Sequence, residues 1–407
     1  MPGRGSFAAN GKTDREVQKV NEDRIKDAIV IPASEAEYSR GVGVDLENRL
    51  EVTRVNADGM IVSLAPGGFV TFRMPEEVNG RYDVSVRVSA TLAQTSSQPF
   101  LFSVNGEMPW AAPVDCRPWA GSPAHIDERI SGMDAALAGA CTEEEIADNF
   151  PLHAGDVLQI RTGFGANAAE LAGEAFPGIA ALVLLPHEPR VPAGKDPLSG
   201  KKILWLGSSV TYGAQAAGHF SMVEAMRERH PGLLCEKYAV CGTTLANTSA
   251  DSYPARLRQI PEWKHPDLVV VQLSTNDAVQ GKILGRISEG NAPMDETTIA
   301  GAIEAIILDI RERFHCPVVF YTGTWFDCEL YREMTELLAD IQKKWGIGII
   351  DLFHDAEMCR LIGTPRYAQY MHDPIHPTRA GYAEWWTPVI DLYLTRFLQD
   401  RTQTMEP

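Results

Sequence analysis

Short apolar runs alternate with longer helical stretches along the last two hundred residues of the chain. An uninterrupted apolar run is typical of a strand buried on both faces, whereas the stretches between the runs have the apolar spacing of helices. This alternation predicts an α/β domain, in which helices cover both faces of a parallel sheet. The predicted strands are Ile203–Leu206, Leu234–Ala239, Leu268–Leu273, Val318–Thr322 and Ile347–Leu352, and the predicted helices include Thr297–Phe314, Glu329–Trp345 and Arg379–Leu398.

The first half of the chain has a different pattern, in which apolar and polar residues alternate over short segments. Such segments, separated by turns, predict a two-sheet β-sandwich. Asn79-Gly80 and Asn105-Gly106 are dipeptides that favour hairpin turns, and Asp134–Asn149 is predicted to be a helical insertion. The predicted strands are Gly68–Arg73, Tyr82–Val88, Phe100–Val104, Val157–Arg161 and Ile179–Leu185.

The change of pattern divides the chain into two domains, as its length of 407 residues favours. We expect a polar leader over residues 1–27, a β-sandwich over 28–190, a linker over 191–200 and the α/β domain over 201–400. The linker falls in a segment rich in proline, which is typical of a domain boundary.

The charge of the chain limits its possible partners, and its cysteine content indicates its cellular compartment. The formal net charge of −17 excludes nucleic acid and anionic membranes as main partners, because both require a basic face. The N-terminus has no apolar core of a secretory signal, and no apolar run approaches the length of a membrane helix. Seven cysteines without CxxC spacing indicate reduced thiols, so we expect a cytoplasmic protein. The oligomeric state stays open, a homo-oligomer included.

A serine lies at the turn between the first predicted strand of the α/β domain and the helix that follows. The turn is Gly207-Ser208-Ser209, and its small residues permit close approach of a substrate. A serine hydroxyl on such a turn lies at the carboxyl edge of the sheet, beside its own backbone N–H. Ser209 is therefore a candidate nucleophile, and the alternative is that the two serines only cap the helix.

Two further segments follow the second and third strands and offer hydrogen-bond donors. Gly242 has no side chain, so its backbone N–H can approach a carbonyl oxygen closely. Asn276 has an amide that can donate to developing negative charge. The alternatives are a simple turn glycine and a helix-capping asparagine.

Asp373 and His376 supply an acid and a base three residues apart, ahead of the last helix. A carboxylate at this spacing can accept a hydrogen bond from the Nδ1–H of the imidazole and leave Nε2 facing a serine. A zinc site is the alternative, but the sequence offers no third ligand at suitable spacing. The neighbouring His372 is expected to be an ordinary surface histidine. No metal or organic cofactor is expected.

These segments, in this order, resemble the blocks of the SGNH (GDSL-like) hydrolase superfamily over residues 200–400. The resemblance implies a three-layer α/β/α, flavodoxin-like domain with Ser209 as nucleophile and Asp373 and His376 as its partners. It also implies an oxyanion hole made by Ser209, Gly242 and Asn276. The sequence departs from the usual motifs in two places. Gly-Asp-Ser is replaced by Gly207-Ser208-Ser209, and Gly-x-Asn by Ser274-Thr275-Asn276.

The predicted sandwich resembles the jelly-roll domains of some carbohydrate esterases in this superfamily, which implies an acylated sugar as substrate. Ser208 and Trp325 are the expected substrate contacts, and Trp110 and Trp119 are further aromatic candidates for sugar stacking. The predicted reaction is hydrolysis of short-chain O-acyl esters, such as acetyl esters, through an acyl-enzyme. Three alternatives remain: acyl transfer or glycoside cleavage on the same fold, a non-catalytic glycan-binding protein, and a lipase.

Overall fold

A computed structural model describes the two predicted regions, and its strands and helices are numbered in chain order. The described residues are 28–39, 53–56, 59–63, 68–89, 100–107, 110–112, 141–162, 178–188, 196–216, 220–289 and 293–405. The predicted leader, most of the linker and Trp119 lie outside these residues.

Two antiparallel sheets form the N-terminal region. In the described residues, one sheet has the order β3-β4-β11-β6-β9 with β1 also paired to β11, and the other has the order β2-β5-β10-β7-β8. Apolar side chains of both sheets pack in one core, which confirms the predicted sandwich. The strands are β1 Ile29–Pro32, β2 Glu37–Ser39, β3 Thr53–Asn56, β4 Gly59–Ser63, β5 Phe69–Arg73, β6 Asn79–Ser89, β7 Phe100–Val104, β8 Trp110–Ala112, β9 Cys141–His153, β10 Val157–Thr162 and β11 Gly178–Pro186.

The predicted helix Asp134–Asn149 is wrong from residue 141 onward, because Cys141–His153 is strand β9. This strand pairs antiparallel with β6 along almost its whole length, and Ile146 and Ala147 are buried in the sandwich core. The run of glutamates favours a helix locally, but strand pairing and core burial outweigh that preference.

The two predicted hairpin dipeptides have different outcomes. Asn105 and Gly106 both have positive φ, at 53° and 73°, and form the predicted tight turn after β7. Asn79-Gly80 is not a turn, because it begins β6 and pairs with His153 and Leu152 of β9. Its place in the strand is set by this pairing rather than by the local preference of the dipeptide.

The C-terminal region is a parallel sheet of five strands within the described residues, in the order β13-β12-β14-β15-β16. Numbered within the domain, this order is 2-1-3-4-5, the flavodoxin-like arrangement that the resemblance implies. Apolar clusters lie on both faces of the sheet and beneath the helices, which confirms the three-layer architecture. The strands are β12 Lys202–Gly207, β13 Leu234–Ala239, β14 Leu268–Gln272, β15 Val318–Tyr321 and β16 Gly348–Ile350.

The helices lie between these strands and after the last one. The predicted helix Glu329–Trp345 has these bounds in the structure, and the last predicted helix begins with a π-helical segment, Gly381–Trp386. The helices are α1 Ser209–Tyr212, α2 Met222–Arg229, α3 Tyr253–Leu257, α4 Thr275–Val279, α5 Ile299–Arg313, α6 Glu329–Trp345, α7 Ala356–Cys359, α8 Pro365–Tyr370 and α9 Thr387–Met405.

The sandwich contacts the α/β domain through buried polar and aromatic groups. Lys202, the first residue of β12, forms an ion pair with Asp148. Lys264 is 1% exposed and donates a hydrogen bond to the carbonyl of Ile146, at 2.9 Å. Trp263 packs against aromatic rings of the sandwich. Lys202 begins β12 and Lys264 precedes β14, so these contacts lie at the amino end of the sheet, opposite its carboxyl edge.

Candidate active site

The predicted nucleophile lies at the switch point of the sheet. Strand β12 ends at Gly207, and Ser209 begins α1 immediately beyond it. In an open α/β sheet, ligands bind outside the carboxyl ends of the strands at the point where the strand order reverses, here between β12 and β14. As the first residue of a helix, Ser209 also has a backbone N–H without an intrahelical acceptor.

Ser209, His376 and Asp373 form a continuous chain of hydrogen bonds. The Ser209 Oγ lies 2.8 Å from His376 Nε2, and His376 Nδ1 lies 2.8 Å from Asp373 Oδ2. The structure therefore brings together an alcohol and an imidazole that are 167 positions apart in the chain. In this arrangement the imidazole can accept the serine proton while the carboxylate holds its other nitrogen.

The backbone around Asp373 orients its carboxylate toward the ring. Its Oδ1 accepts hydrogen bonds from the N–H groups of Ile375 and His376, at 2.7 and 2.8 Å. Partial burial acts to raise the pKa of the Asp373 carboxyl, but these bonds and the His376 ring outweigh it, so the pKa lies below its ordinary value. Asp373 is accordingly charged at neutral pH.

The loop that carries Asp373 and His376 follows helix α8 rather than a strand, unlike the other segments of the site. The His372 N–H donates to the carbonyl of His376 at 2.9 Å, and Met371 pairs with Pro377. These contacts close the loop on itself. His372 takes part through its backbone, and its side chain is exposed, as expected for a surface histidine.

The two other predicted donors lie on the loops that follow β13 and β14. Gly242 has φ of +79°, a conformation that favours glycine, and the space around its α-carbon is open. Asn276 lies in α4, and its Nδ2 donates to the carbonyl of Thr243 at 2.9 Å. A primary amide has two hydrogens on that nitrogen, so the second one is available to a substrate.

Three groups that the sequence analysis did not identify hold the loops and the nucleophile turn of the site in place. The Asp277 carboxylate is fully buried and accepts from the N–H groups of Leu245 and Ala246, at 2.7 and 2.9 Å. Burial raises the pKa of this carboxyl, while the amide bonds act in the opposite direction. Arg256 and Gln272 are the other two.

Arg256 lies beneath the turns after β12 and β13. Its guanidinium donates to the carbonyls of Tyr238 at 2.7 Å and Gly207 at 2.8 Å, and to Thr243 Oγ1 at 3.1 Å. Burial lowers the pKa of Arg256 to about 10, so it remains a cation at neutral pH. Nothing in the sequence distinguishes this arginine from a surface one. Gln272 could have been noticed, because it is a polar residue at the end of an apolar buried strand.

The predicted substrate contacts have different positions. Trp325 follows β15 and is 41% exposed at the carboxyl side of the sheet, where a ligand can reach it. Ser208 is fully buried, and its N–H and hydroxyl both face Gln272. The expectation that Ser208 contacts substrate is therefore wrong. Trp110 is also buried, among the rings of Phe102, Phe150 and Trp263, and is not available for stacking on a sugar.

The described part of the chain contains neither a metal-binding cluster nor a membrane-spanning helix. No group of three or more histidine, cysteine, aspartate or glutamate side chains there is placed to hold a metal ion. None of the helices in the described ranges combines the length and apolar character that a membrane span requires.

A parallel sheet with a serine and a histidine in hydrogen-bond contact at its switch point is an arrangement suited to a hydrolase. Residues 205–384 match the model of the GDSL-like Lipase/Acylhydrolase family, so this region is a GDSL-like hydrolase domain and the protein is an enzyme of that type. The resemblance found from the sequence is thereby confirmed.

Solved structures of other proteins are similar to this chain over different lengths. A family two carbohydrate esterase from Cellvibrio japonicus has 14% identity and a TM-score of 0.38, over 92% of this chain and 99% of that one. A family two carbohydrate esterase from Clostridium thermocellum, in complex with cellohexaose, has 13% identity and a TM-score of 0.37, over 86% and 97%. A protein from Lactobacillus plantarum has 22% identity and a TM-score of 0.42, over 50% and 98%. A comparison with curated proteins found no match.

Proposed function

We propose that the protein is a serine esterase that removes short O-acyl groups, such as acetyl, from a carbohydrate, with Ser209, His376 and Asp373 as its catalytic triad. The observation that carries the proposal is the chain of two 2.8 Å hydrogen bonds from Ser209 through His376 to Asp373. It lies at the carboxyl edge of a GDSL-like domain, where the hydroxyl and a substrate can meet.

In the proposed mechanism, the Ser209 Oγ attacks the ester carbonyl while His376 Nε2 accepts its proton. The negative charge of Asp373 stabilises the imidazolium that forms. The N–H groups of Ser209 and Gly242 and the amide of Asn276 bind the oxyanion of the tetrahedral intermediate. His376 then protonates the departing alcohol, and a water molecule attacks the acyl-enzyme by the same route to release the acid.

The residues around the nucleophile favour a small acyl group. Ser209, Cys241 and Gly242, at the carboxyl edge of the sheet, have short side chains or none. They leave little apolar surface for a long acyl chain. The exposed indole of Trp325 favours a sugar as the alcohol, because an aromatic ring can stack on the apolar face of a pyranose.

Product analysis tests this function against the other chemistries that the fold can host. The full chain is incubated with an acetylated oligosaccharide and with the same oligosaccharide after chemical deacetylation, and acetate and new reducing ends are measured. We expect acetate from the first substrate and new reducing ends from neither. New reducing ends without acetate would identify a glycosidase, and acetyl groups moved to an added acceptor sugar would identify a transferase.

A fluorophosphonate probe separates an enzyme from a non-catalytic glycan-binding protein. The probe reacts with serines that are activated by a neighbouring base. We expect one adduct on the peptide that contains Ser209, and no reaction after heat denaturation. An unlabelled Ser209 in folded protein, with no acetate release, would refute the esterase.

A longer-chain esterase is the second candidate, and one observation favours it. Val279 and Ile283, on the segment that follows Asn276, are 67% and 70% exposed. Apolar side chains at this position offer surface to an acyl chain. A series of p-nitrophenyl esters decides between the two: falling kcat/KM from acetate to octanoate supports the short-chain enzyme, and rising kcat/KM supports the lipase.

Replacing Trp325 by alanine is expected to raise KM for an acetylated oligosaccharide about fivefold, which corresponds to about 1 kcal/mol of lost stacking. Because the indole contacts the alcohol and not the reacting carbonyl, kcat should change little. Hydrolysis of p-nitrophenyl acetate serves as the internal comparison and should be unaffected. Leu392→Ala, at an apolar residue that is 51% exposed on α9, is the matched control and should alter neither substrate. Equal losses on both substrates would show that Trp325 does not recognise the sugar.

A further inference from the structure

The helix that begins with the proposed nucleophile lacks the usual cap from the residue before it. Ser208 is the N-cap residue of α1, yet its side chain makes no capping hydrogen bond. Thr211 is the third residue of α1, and an N-cap side chain normally accepts a hydrogen bond from the backbone N–H at this position. In a buried turn such as this one, that N–H requires another acceptor.

The acceptor comes from the neighbouring strand. Gln272 is the last residue of β14, and parallel pairing of β12 with β14 places it beside Gly207. Its Oε1 lies 2.9 Å from the Ser208 N, 3.2 Å from the Thr211 N and 2.8 Å from Thr211 Oγ1. One side-chain oxygen therefore holds both ends of the turn that carries Ser209.

The direction of these bonds is set by the groups that surround the amide. The two backbone groups that contact the Gln272 side chain are the N–H groups of Ser208 and Thr211, and both are donors. If the amide were turned around, its own NH₂ group would face these donors and no hydrogen bond could form. Since Thr211 Oγ1 donates to Gln272, the hydrogen of its 2.5 Å contact with Tyr321 comes from the tyrosine hydroxyl. Among the described residues, Gln272 Nε2 is buried without a partner. Only the oxygen of this buried amide has hydrogen-bond partners. Packing does not require a polar side chain here, whereas a role in holding the turn does.

From these contacts we infer that Gln272 is a positioning residue, which holds the nucleophile turn through the contact that an acidic side chain at position 208 would otherwise make. An aspartate at the N-cap accepts the N–H of the third helical residue. In this chain Ser208 stands where the usual motif has that aspartate, and Gln272 accepts the same N–H from the adjacent strand. The inference rests on the proposed function of Ser209 as nucleophile.

Gln272→Met keeps the length of the side chain and removes the acceptor. Displacement of a nucleophile by about 1 Å can lower the rate about 100-fold, so we expect kcat for p-nitrophenyl acetate to fall about 10- to 100-fold with KM within about twofold. The rate of fluorophosphonate labelling should fall by a similar factor. Val270→Ala is the control, because Val270 lies two residues earlier in the same buried strand and its loss affects packing alone. It should lower the melting temperature and leave kcat nearly unchanged.

A second substitution tests the capping role itself. Adding Ser208→Asp to Gln272→Met returns an acceptor to the Thr211 N–H, and we expect it to recover kcat at least about fivefold. Wild-type kcat in Gln272→Met, or a double variant no faster than the single one, would overturn the positioning role. If Gln272→Met does not fold, Gln272→Asn, which withdraws the acceptor by one methylene, takes its place with the same expected loss.

Ser209→Ala, assayed alongside, keeps the two proposals apart. Near wild-type hydrolysis by Ser209→Ala would refute the nucleophile and with it the proposed function. An inactive Ser209→Ala together with a fully active Gln272→Met would overturn the role of Gln272 alone.

Discussion

Ser209→Ala is expected to lower kcat for p-nitrophenyl acetate by about 10⁴- to 10⁶-fold, to the level of the remaining transition-state contacts. The substitution removes the oxygen that forms the acyl-enzyme and leaves His376 Nε2 without its 2.8 Å partner. Because a single hydrogen bond is lost and no cavity larger than a hydroxyl is created, the free energy of unfolding should change by about 1 kcal/mol or less. Steady-state kinetics and thermal unfolding measure the two effects.

The matched control for this variant is Ser249→Ala, an exposed serine whose hydroxyl contacts only Asp251 in the described structure. It should retain wild-type kcat and stability. A Ser209→Ala variant with an intact fold and kcat within about tenfold of the wild-type value would reject Ser209 as nucleophile.

Asn276→Ala is expected to lower kcat about 100- to 1000-fold with little change in KM, the usual effect of removing one oxyanion donor. The amide would donate most strongly to the negative charge that develops in the transition state, so its loss affects the chemical step more than ground-state binding. Asn276→Asp should lose at least as much kcat, because it keeps the size of the side chain and exchanges a donor for a negatively charged acceptor.

Asn276 also contacts the loop that carries Gly242, through the carbonyl of Thr243, and a second variant separates this contact from oxyanion binding. Gln280 Nε2 donates to the carbonyl of Gly242 at 3.2 Å from an exposed position. Gln280→Ala therefore removes a contact with the same loop and should keep kcat within about twofold. A rise in KM alone in Asn276→Ala would make Asn276 a substrate-binding residue instead.

Local patterns predicted most of the elements that carry the site. The predicted strand Leu234–Ala239 and the predicted helix Glu329–Trp345 have these bounds in the structure. Such segments are predictable because a buried strand and an amphipathic helix each require a characteristic spacing of apolar residues along the sequence. The candidate triad could be named for a related reason, because Asp373-x-x-His376 and the Gly-Ser-Ser turn are short motifs.

Patterns within a few residues failed where distant pairing decides the structure. The glutamate-rich segment before Ile146 favours a helix, but its partner strand, β6, begins more than fifty residues earlier. Asn79-Gly80 favours a turn for equally local reasons and is instead held in β6 by β9. Ser208 was expected to contact substrate, but the turn directs its side chain into the protein.

By itself, the sequence was enough to indicate an α/β domain after a β-sandwich, a GDSL-like hydrolase and the identity of the candidate acid, base and nucleophile. These properties depend on residue types and short spacings, which are readable along one chain. Only the tertiary structure decided that His376 lies within hydrogen-bond distance of Ser209, and that Gln272 and Arg256 hold the turn beneath it. Such contacts join residues that are far apart in the chain, and they depend on strand order and on burial, which no local pattern specifies.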